Sequence, residues 1–255
     1  MSPSAAAGQI CVWNSGSLWI GRASAPNDVH SHHAVQVALA LEGQFRFQSP
    51  VDGVWLDCTG AVISSNHPHA FDGRNAPTLA HLFVEPQSLP GRVLLQRFPA
   101  THGICLLNGP LLETAAQSLS ACYRASREGA DLIRTAREVI RMLTDGVEVP
   151  APADSRILLA LDYLRDNLSG TVSLERVAAE VHLSPSRFRH LFVREMGLAF
   201  RPYVLWLRVN RAVEAFAAGE SLTTAAYHAG FADSAHLSRT FRRMYGMAAG
   251  TLHLE

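Results

Sequence analysis

Lysine is absent from this chain of 255 residues. All 22 of its basic side chains are therefore arginine, so any phosphate contact must come from guanidinium groups, polar side chains or helix N-termini. Cysteine is sparse. Cys11, Cys58, Cys105 and Cys122 form no C-x-x-C pair and no finger-like spacing, which argues against a zinc finger and points to reduced, buried thiols of a cytosolic protein. No apolar run reaches the length of a membrane span, and MSPSAAAGQ lacks the basic start and apolar core of a signal peptide; a cytoplasmic location without membrane association is expected. A surplus of charge is missing too. The formal net charge is zero, which by itself argues against a nucleic-acid partner.

The distribution of charge reverses that argument. From Asp154 onward there are 12 arginines against 10 acidic residues, and six of those arginines fall in two related stretches. The first, Ser184 to Gly197, reads SPSRFRHLFVREMG; the second, Asp233 to Gly246, reads DSAHLSRTFRRMYG. Phe188 matches Leu237, Leu191 matches Thr240, Phe192 matches Phe241, Arg194 matches Arg243 and Gly197 matches Gly246. Each predicts a helix capped by Ser184 or Asp233, with an apolar stripe at i, i+3 and i+4 and arginine on the other side. Each follows a shorter amphipathic stretch, Ser173-LERVAAEVHL and Ser221-LTTAAYHAGFA, with Gly230 at the second turn. Two helix-turn-helix units, about 173–197 and 221–246, are the expectation, the second helix of each entering a major groove. Exposed arginine on a bare helical domain is the plainer alternative, and two copies in register weigh against it.

Residues from about Ile157 to Gly246 resemble the DNA-binding domain of the AraC/XylS family of bacterial transcription regulators, most specifically in Ala229-Gly-Phe-Ala-Asp-Ser-Ala-His-Leu-Ser-Arg-Thr-Phe. The family's joining helix is matched by Phe200 to Ala218, around Leu207-Arg208 and Arg211-Ala212. The match departs at the end, where Met247-AAGTLHLE replaces the family's usual Pro and Tyr-Arg. The resemblance implies two recognition helices entering major-groove segments about 34 Å apart. Ser186, Arg189 and His190 in the first, and Ala235, Ser238 and Arg239 in the second, are the expected base readers, with Arg189 and Arg239 suited to guanine. Arg187, Arg194, Arg242 and Arg243 are expected at phosphates.

The N-terminal part reads as short strands: ICVWN, SLWIGR, Ala34 to Leu41, Gln44-FRFQ, Val54 to Asp57, Ala61 to Ser64 and Leu79 to Glu85, each with one buried face. Many short strands imply a small sandwich or barrel. His30-Ser-His32-His33-Ala-Val-Gln36 resembles the first cupin motif, with Gln36 in the place of the metal-binding glutamate, and Gly60-AVISSNHPHAF resembles the second, with His69 in its histidine position. Gln9 to about Glu85 is thus similar to the cupin-like sensor of AraC-type regulators. Three uses of these histidines stay open, in this order: an organic effector pocket of His30, His32, Gln36 and His69; packed structural histidines; and a divalent transition-metal site of His30, His32 and His69.

Pro110 to Thr144 reads helical with a break at Gly129, giving one stripe of Leu111, Leu112, Ala115, Leu119 and Cys122 and another of Leu132, Ile133, Ala136, Val139, Ile140 and Leu143. They either cover the barrel or serve dimerisation, at least one being expected to dimerise. The fold class expected is a two-domain α+β protein: a disordered tail over 1–8, a cupin-like barrel over 9–108, a helical hairpin over 109–143, a linker over 144–153 and an all-α DNA-binding domain over 154–255. The expected function is DNA binding at a promoter or operator under control of an effector, as a homodimer acting on RNA polymerase, with activation favoured by the resemblance and no enzymatic activity. A metal-dependent cupin enzyme and a constitutive DNA binder with a structural barrel are the rivals.

Overall fold

Strand alternation and helix capping account for most elements of the computed structural model, which describes residues 6–50, 53–99, 103–126, 128–148 and 153–254. The chain divides into two compact units: Met1–Pro150 together with Phe241–Glu255, and Ala151–Thr240. Among the described residues no helix is long and apolar enough to cross a membrane.

The first unit runs β1 (Ala6–Trp13), β2 (Gly16–Ala23), β3 (Asn27–His30), β4 (Val35–Glu42), β5 (Phe45–Gln48), β6 (Trp55–Cys58), β7 (Gly60–Ile63), β8 (His69–Asp72), β9 (Thr78–Val84), α1 (Leu89–Arg97), β10 (Ile104–Leu106), α2 (Pro110–Ala125) and α3 (Gly129–Thr144). The chain's last strand, β11 (Leu252–Leu254), returns to it. One sheet has the order β10-β7-β4-β9-β2-β1-β11, the other β3-β8-β5-β6. In β4 every residue from Val35 to Ala40 is buried, so the single buried face expected from alternation is corrected to two. Val35, Val37 and Leu39 meet Leu112, Ala115 and Leu119 of α2 and Leu132, Ala136, Val139 and Leu143 of α3 in one core. Ala38 and Ala40, on the opposite face, join Phe45, Phe47, Ile63 and Phe71 in a second core.

Most of both helical stripes packs inside this unit, with Leu111, Cys122 and Ile133 left half-buried. Separating the buried members from the sheet would expose apolar side chains, each worth about 1.5–3 kcal/mol of burial. Ala6 to Gly8 pair with β2 and β11, so the tail expected over 1–8 is ordered from Ala6, and residues 1–5 lie outside the described residues. Part of the linker expected over 144–153 lies outside them too, while Thr144 still belongs to α3. All four cysteines are unpaired, but only Cys11 is buried; the other three are half-buried. Sequence patterning missed α1, β3, β8, β10 and β11, which are short or lack alternation.

The second unit is helical: α4 (Ser155–Asn167), α5 (Leu174–Glu180), α6 (Pro185–Met196), α7 (Phe200–Ala217), α8 (Leu222–His228) and α9 (Ser234–Tyr245), the last continuing into the first unit after Thr240. The caps expected at Ser184 and Asp233 form, and Ser173 and Ser221 cap the two preceding helices as well. Ser173 Oγ accepts Arg176 N–H at 3.3 Å, Ser184 Oγ accepts Arg187 N–H at 3.4 Å, Ser221 Oγ accepts Thr224 N–H at 3.1 Å and Asp233 Oδ1 accepts His236 N–H at 2.6 Å. Such caps stabilise a helix by about 1 kcal/mol each. The two turns close alike: Leu183 N–H donates to Ala178 O at 2.9 Å, and Phe231 N–H donates to Ala226 O at 3.0 Å. Both need a left-handed residue, His182 (φ 55°) in the first and Gly230 (φ 79°) in the second.

Candidate nucleic-acid interface and sensor site

Burial of Phe188, Leu191, Phe192 and Met196 against α7 turns the opposite side of α6 outward. Phe188 and Phe192 each pack edge to face on Phe200, and Phe192 also on Tyr203, with ring centroids 5.5–5.9 Å apart. Ser186, Arg187, Arg189, His190 and Arg194 are exposed there, and Arg194 pairs with Glu195 at 2.9 Å. On α9, Ala235, Arg239, Arg242 and Arg243 are exposed around the buried Leu237, Thr240 and Phe241. Two expected contacts stand differently. Ser238 is half-buried and its hydroxyl donates to Ser234 O at 2.8 Å; Arg242 pairs through Nη2 with Asp28 Oδ2 at 2.7 Å.

The barrel histidines converge. His30 on β3 stands opposite His69 on β8 across the ladder, and His32 lies two residues on, before β4. Their ligand-capable nitrogens lie within 4.8 Å of one another, and all three rings are buried. Each Nδ1–H donates to a main-chain carbonyl: His30 to Asp28 O at 2.7 Å, His32 to Ala34 O at 3.1 Å and His69 to His67 O at 2.9 Å. That fixes the tautomer and makes each Nε2 an acceptor, the His32 one engaged with Gln36 and the His69 one without a hydrogen-bond partner. Gln36, on the Ala38 and Ala40 side of β4, lies 2.8 Å from His32 Nε2 and 2.8 Å from His81 Nδ1. The Gln36 amide stands with Oε1 toward His32 Nε2 and Nε2 toward His81 Nδ1; with His32 Nε2 an acceptor the two amide atoms exchange places, N–H to His32 and oxygen to the His81 N–H.

Burial disfavours the imidazolium form throughout. Desolvation first, and neighbouring imidazoles second, push His32 and His81 down to about 3 and His69 well below its ordinary value; desolvation alone pushes His30 down to about 4. At neutral pH the group is a set of neutral imidazoles. His69 Nε2 is buried without a hydrogen-bond partner. A cavity of about 80 Å³ adjoins, its wall including Trp19, His30, Gln36, Phe71, Leu79, His81, Phe83, Tyr245 and Leu252. His30, His32, Gln36 and His69 were legible from motif spacing. His81 stood out only as a polar residue alternating with Leu79 and Phe83, and nothing local marks Trp19 or Tyr245, which stack with centroids 4.7 Å apart.

A family model described as "Helix-turn-helix domain" matches residues 177–253. Regulatory protein PocR of Salmonella typhimurium is 34% identical over 97 residues, 38% of this chain and 32% of that protein. The HTH-type transcriptional activator RhaS of Escherichia coli is 35% identical over 92 residues, again covering only about a third of the relative, 33%. The probable transcriptional regulator LumQ of Photobacterium leiognathi is 27% identical over 228 residues, 86% of this chain and 89% of LumQ. Among solved structures, apo ToxT of Vibrio cholerae superimposes with a TM-score of 0.64 at 10% identity, covering 93% of this chain and 96% of ToxT. A ToxT structure with an unsaturated fatty acid bound gives 0.57 at 10% identity. Residues 177–253 thus match a helix-turn-helix domain and are similar in sequence to bacterial transcription regulators, and the fold of the chain is similar to that of ToxT.

Proposed function

We propose that this chain is a DNA-binding transcription regulator of AraC type, controlled by a divalent transition-metal ion held by His30, His32 and His69, and that the ion sets its occupancy of promoter DNA. The observation that supports this is the common orientation of the rings. Each spends its Nδ1–H on a carbonyl, and His69 Nε2 is left buried without a partner. An unsatisfied buried acceptor costs about 1–3 kcal/mol, which coordination would relieve. Three neutral imidazoles suit zinc or copper and leave a fourth position open. On the DNA side, Arg189 and Arg239 read guanine while Arg187, Arg194 and Arg243 hold phosphate. Promoter activation through RNA polymerase, by a homodimer, completes the reading; RhaS is a transcriptional activator by name, which favours activation.

A second reading, an organic effector, draws on the apolar cavity walls Trp19, Phe71, Leu79 and Phe83 and on the fatty acid in ToxT. The cavity's 80 Å³ is small beside the roughly 300–1,000 Å³ of typical small-molecule sites, which favours an ion. Elemental analysis of protein purified without added metal, then titration with Co²⁺ followed by absorption, tests the choice. One ion per chain, with a change in affinity for duplex from the chain's own upstream region, supports the ion. Absence of stoichiometric metal, with a small apolar molecule raising the melting temperature, supports the second reading. Turnover of a small substrate by the metal-loaded protein would revive the enzyme.

A further inference from the structure

One residue holds both the first imidazole of the cluster and the end of the last helix. The Asp28 carbonyl accepts His30 Nδ1–H at 2.7 Å, its N–H donates to Gly246 O at 2.9 Å, and its carboxylate pairs with Arg242 at 2.7 Å. Beside it, Asn27 Nδ2 donates to Tyr245 O at 2.9 Å. The packing at Gly246 is tight. Its φ is 68°, and a Cβ there would stand 2.3 Å from Asp28 O and 2.6 Å from His30 Nδ1. All of these residues belong to the first unit.

The element that carries Asp28 is built to shift. β3 has four residues, lies at the edge of its sheet, and pairs with β8 at Asn27 and His30 with a register shift between them. His69, by contrast, sits on β8, which is paired on both sides. The three ligand nitrogens are now spread over as much as 4.8 Å, whereas a tetrahedral ion bound at about 2.0–2.1 Å would draw them to about 3.4 Å apart. The histidine with freedom to close that gap is His30, and its Nδ1–H carries the Asp28 carbonyl with it.

We propose, on the reading that the histidine cluster binds a metal ion, that β3 is a release latch: coordination pulls His30 and Asp28 inward and detaches the segment from Arg242 to Leu254. With Nη2 held on the Asp28 carboxylate, whose negative charge also repels a phosphate, Arg242 is a weakened phosphate contact. The latched state thus weakens one phosphate contact of α9, and release restores it. Because the ion binds the released arrangement better, weakening the latch must tighten ion binding by the same factor that the ion loosens the latch.

The test uses the full chain, Zn²⁺ as the ion and a random-sequence duplex, so that phosphate contacts alone are read. In the wild type, Zn²⁺ should speed amide exchange across 245–254 by about tenfold, tighten duplex binding about two- to fivefold, as expected for one exposed ion pair, and steepen the salt slope by about 1. The Asn27→Ala, Asp28→Ala double variant should exchange fast and bind duplex tightly without Zn²⁺, and bind Zn²⁺ more tightly than the wild type. Asp28→Asn, which keeps both main-chain bonds, should show the duplex effect with a smaller change in exchange. Zn²⁺ that binds yet leaves exchange over 245–254 and duplex affinity unchanged overturns the latch and spares the site. Failure of Zn²⁺ to bind removes the site and the latch together.

Discussion

His30 and His69 face each other as a cross-strand pair of β3 and β8, their ring centroids 4.3 Å apart. Each gives its Nδ1–H to a carbonyl two residues earlier in its own chain, so the pair presents two acceptor nitrogens to one point. If that point takes an ion, Zn²⁺ at 100 times its dissociation constant should stabilise the folded state by about 2.7 kcal/mol. Thermal melting with and without Zn²⁺ reads this directly. His69→Ala should abolish the upward shift, while His33→Ala should keep it, because His33 bonds to Gln87 at 3.0 Å and stands outside the His30, His32 and His69 group.

The exposed arginines of α6 and α9 divide into readers and anchors. Arg189→Ala and Arg239→Ala should each lower discrimination between operator and altered sequence by about 1–3 kcal/mol. Arg243→Ala should instead weaken binding to all sequences and lower the salt slope by about 1. Binding isotherms across a salt series, on operator and scrambled duplex, separate the two. Equal loss on both duplexes from Arg189→Ala would assign that residue to the backbone.

The paired left-handed turns give a stability test. His182 carries at φ 55° the position that Gly230 fills at φ 79° in the second unit. A side chain in that conformation costs about 1–2 kcal/mol, partly offset by the unfolded-state freedom of glycine, so His182→Gly should stabilise by up to about 1 kcal/mol. Gly230→Ala should do the reverse by more, since its Cβ would meet Arg208 Nε and Leu168 O, each at 3.2 Å. Urea unfolding of each variant gives the sign.

Asp72 governs an acid-sensitive contact. Hydrogen bonds from Arg74 foremost, then from Arg46, hold its carboxyl well below the ordinary carboxylate range despite burial. A depressed folded-state value means that the stabilisation is complete above the unfolded value near 3.9 and is lost as pH falls through the folded one. Asp72→Asn should therefore lower the melting temperature at pH 7, by an amount corresponding to roughly 1–3 kcal/mol, and the difference from wild type should shrink below about pH 4. A difference that stays constant down to pH 2 would place the effect in packing.

The repeats, their caps and the arginine faces were legible because each depends on neighbours within about a dozen residues: Ser184 and Asp233 cap by reaching three residues on, and Phe188, Leu191 and Phe192 share a face at helical spacing. The histidine motifs were legible for the same reason, as spaced residues on short strands. What those residues do to one another was decided by tertiary pairing. Whether the stripes of α2 and α3 faced a second copy or their own sheet depended on β4, far away in sequence, which buries both faces. That Gln36 would span His32 and His81, and that Asp28 would join His30 to Gly246, rests on contacts between residues 45 and 218 positions apart. Periodicity determines which side of an element is apolar, because the backbone repeat is local. The partner that covers that side is chosen by the whole chain's burial, and no single stretch of sequence carries that information.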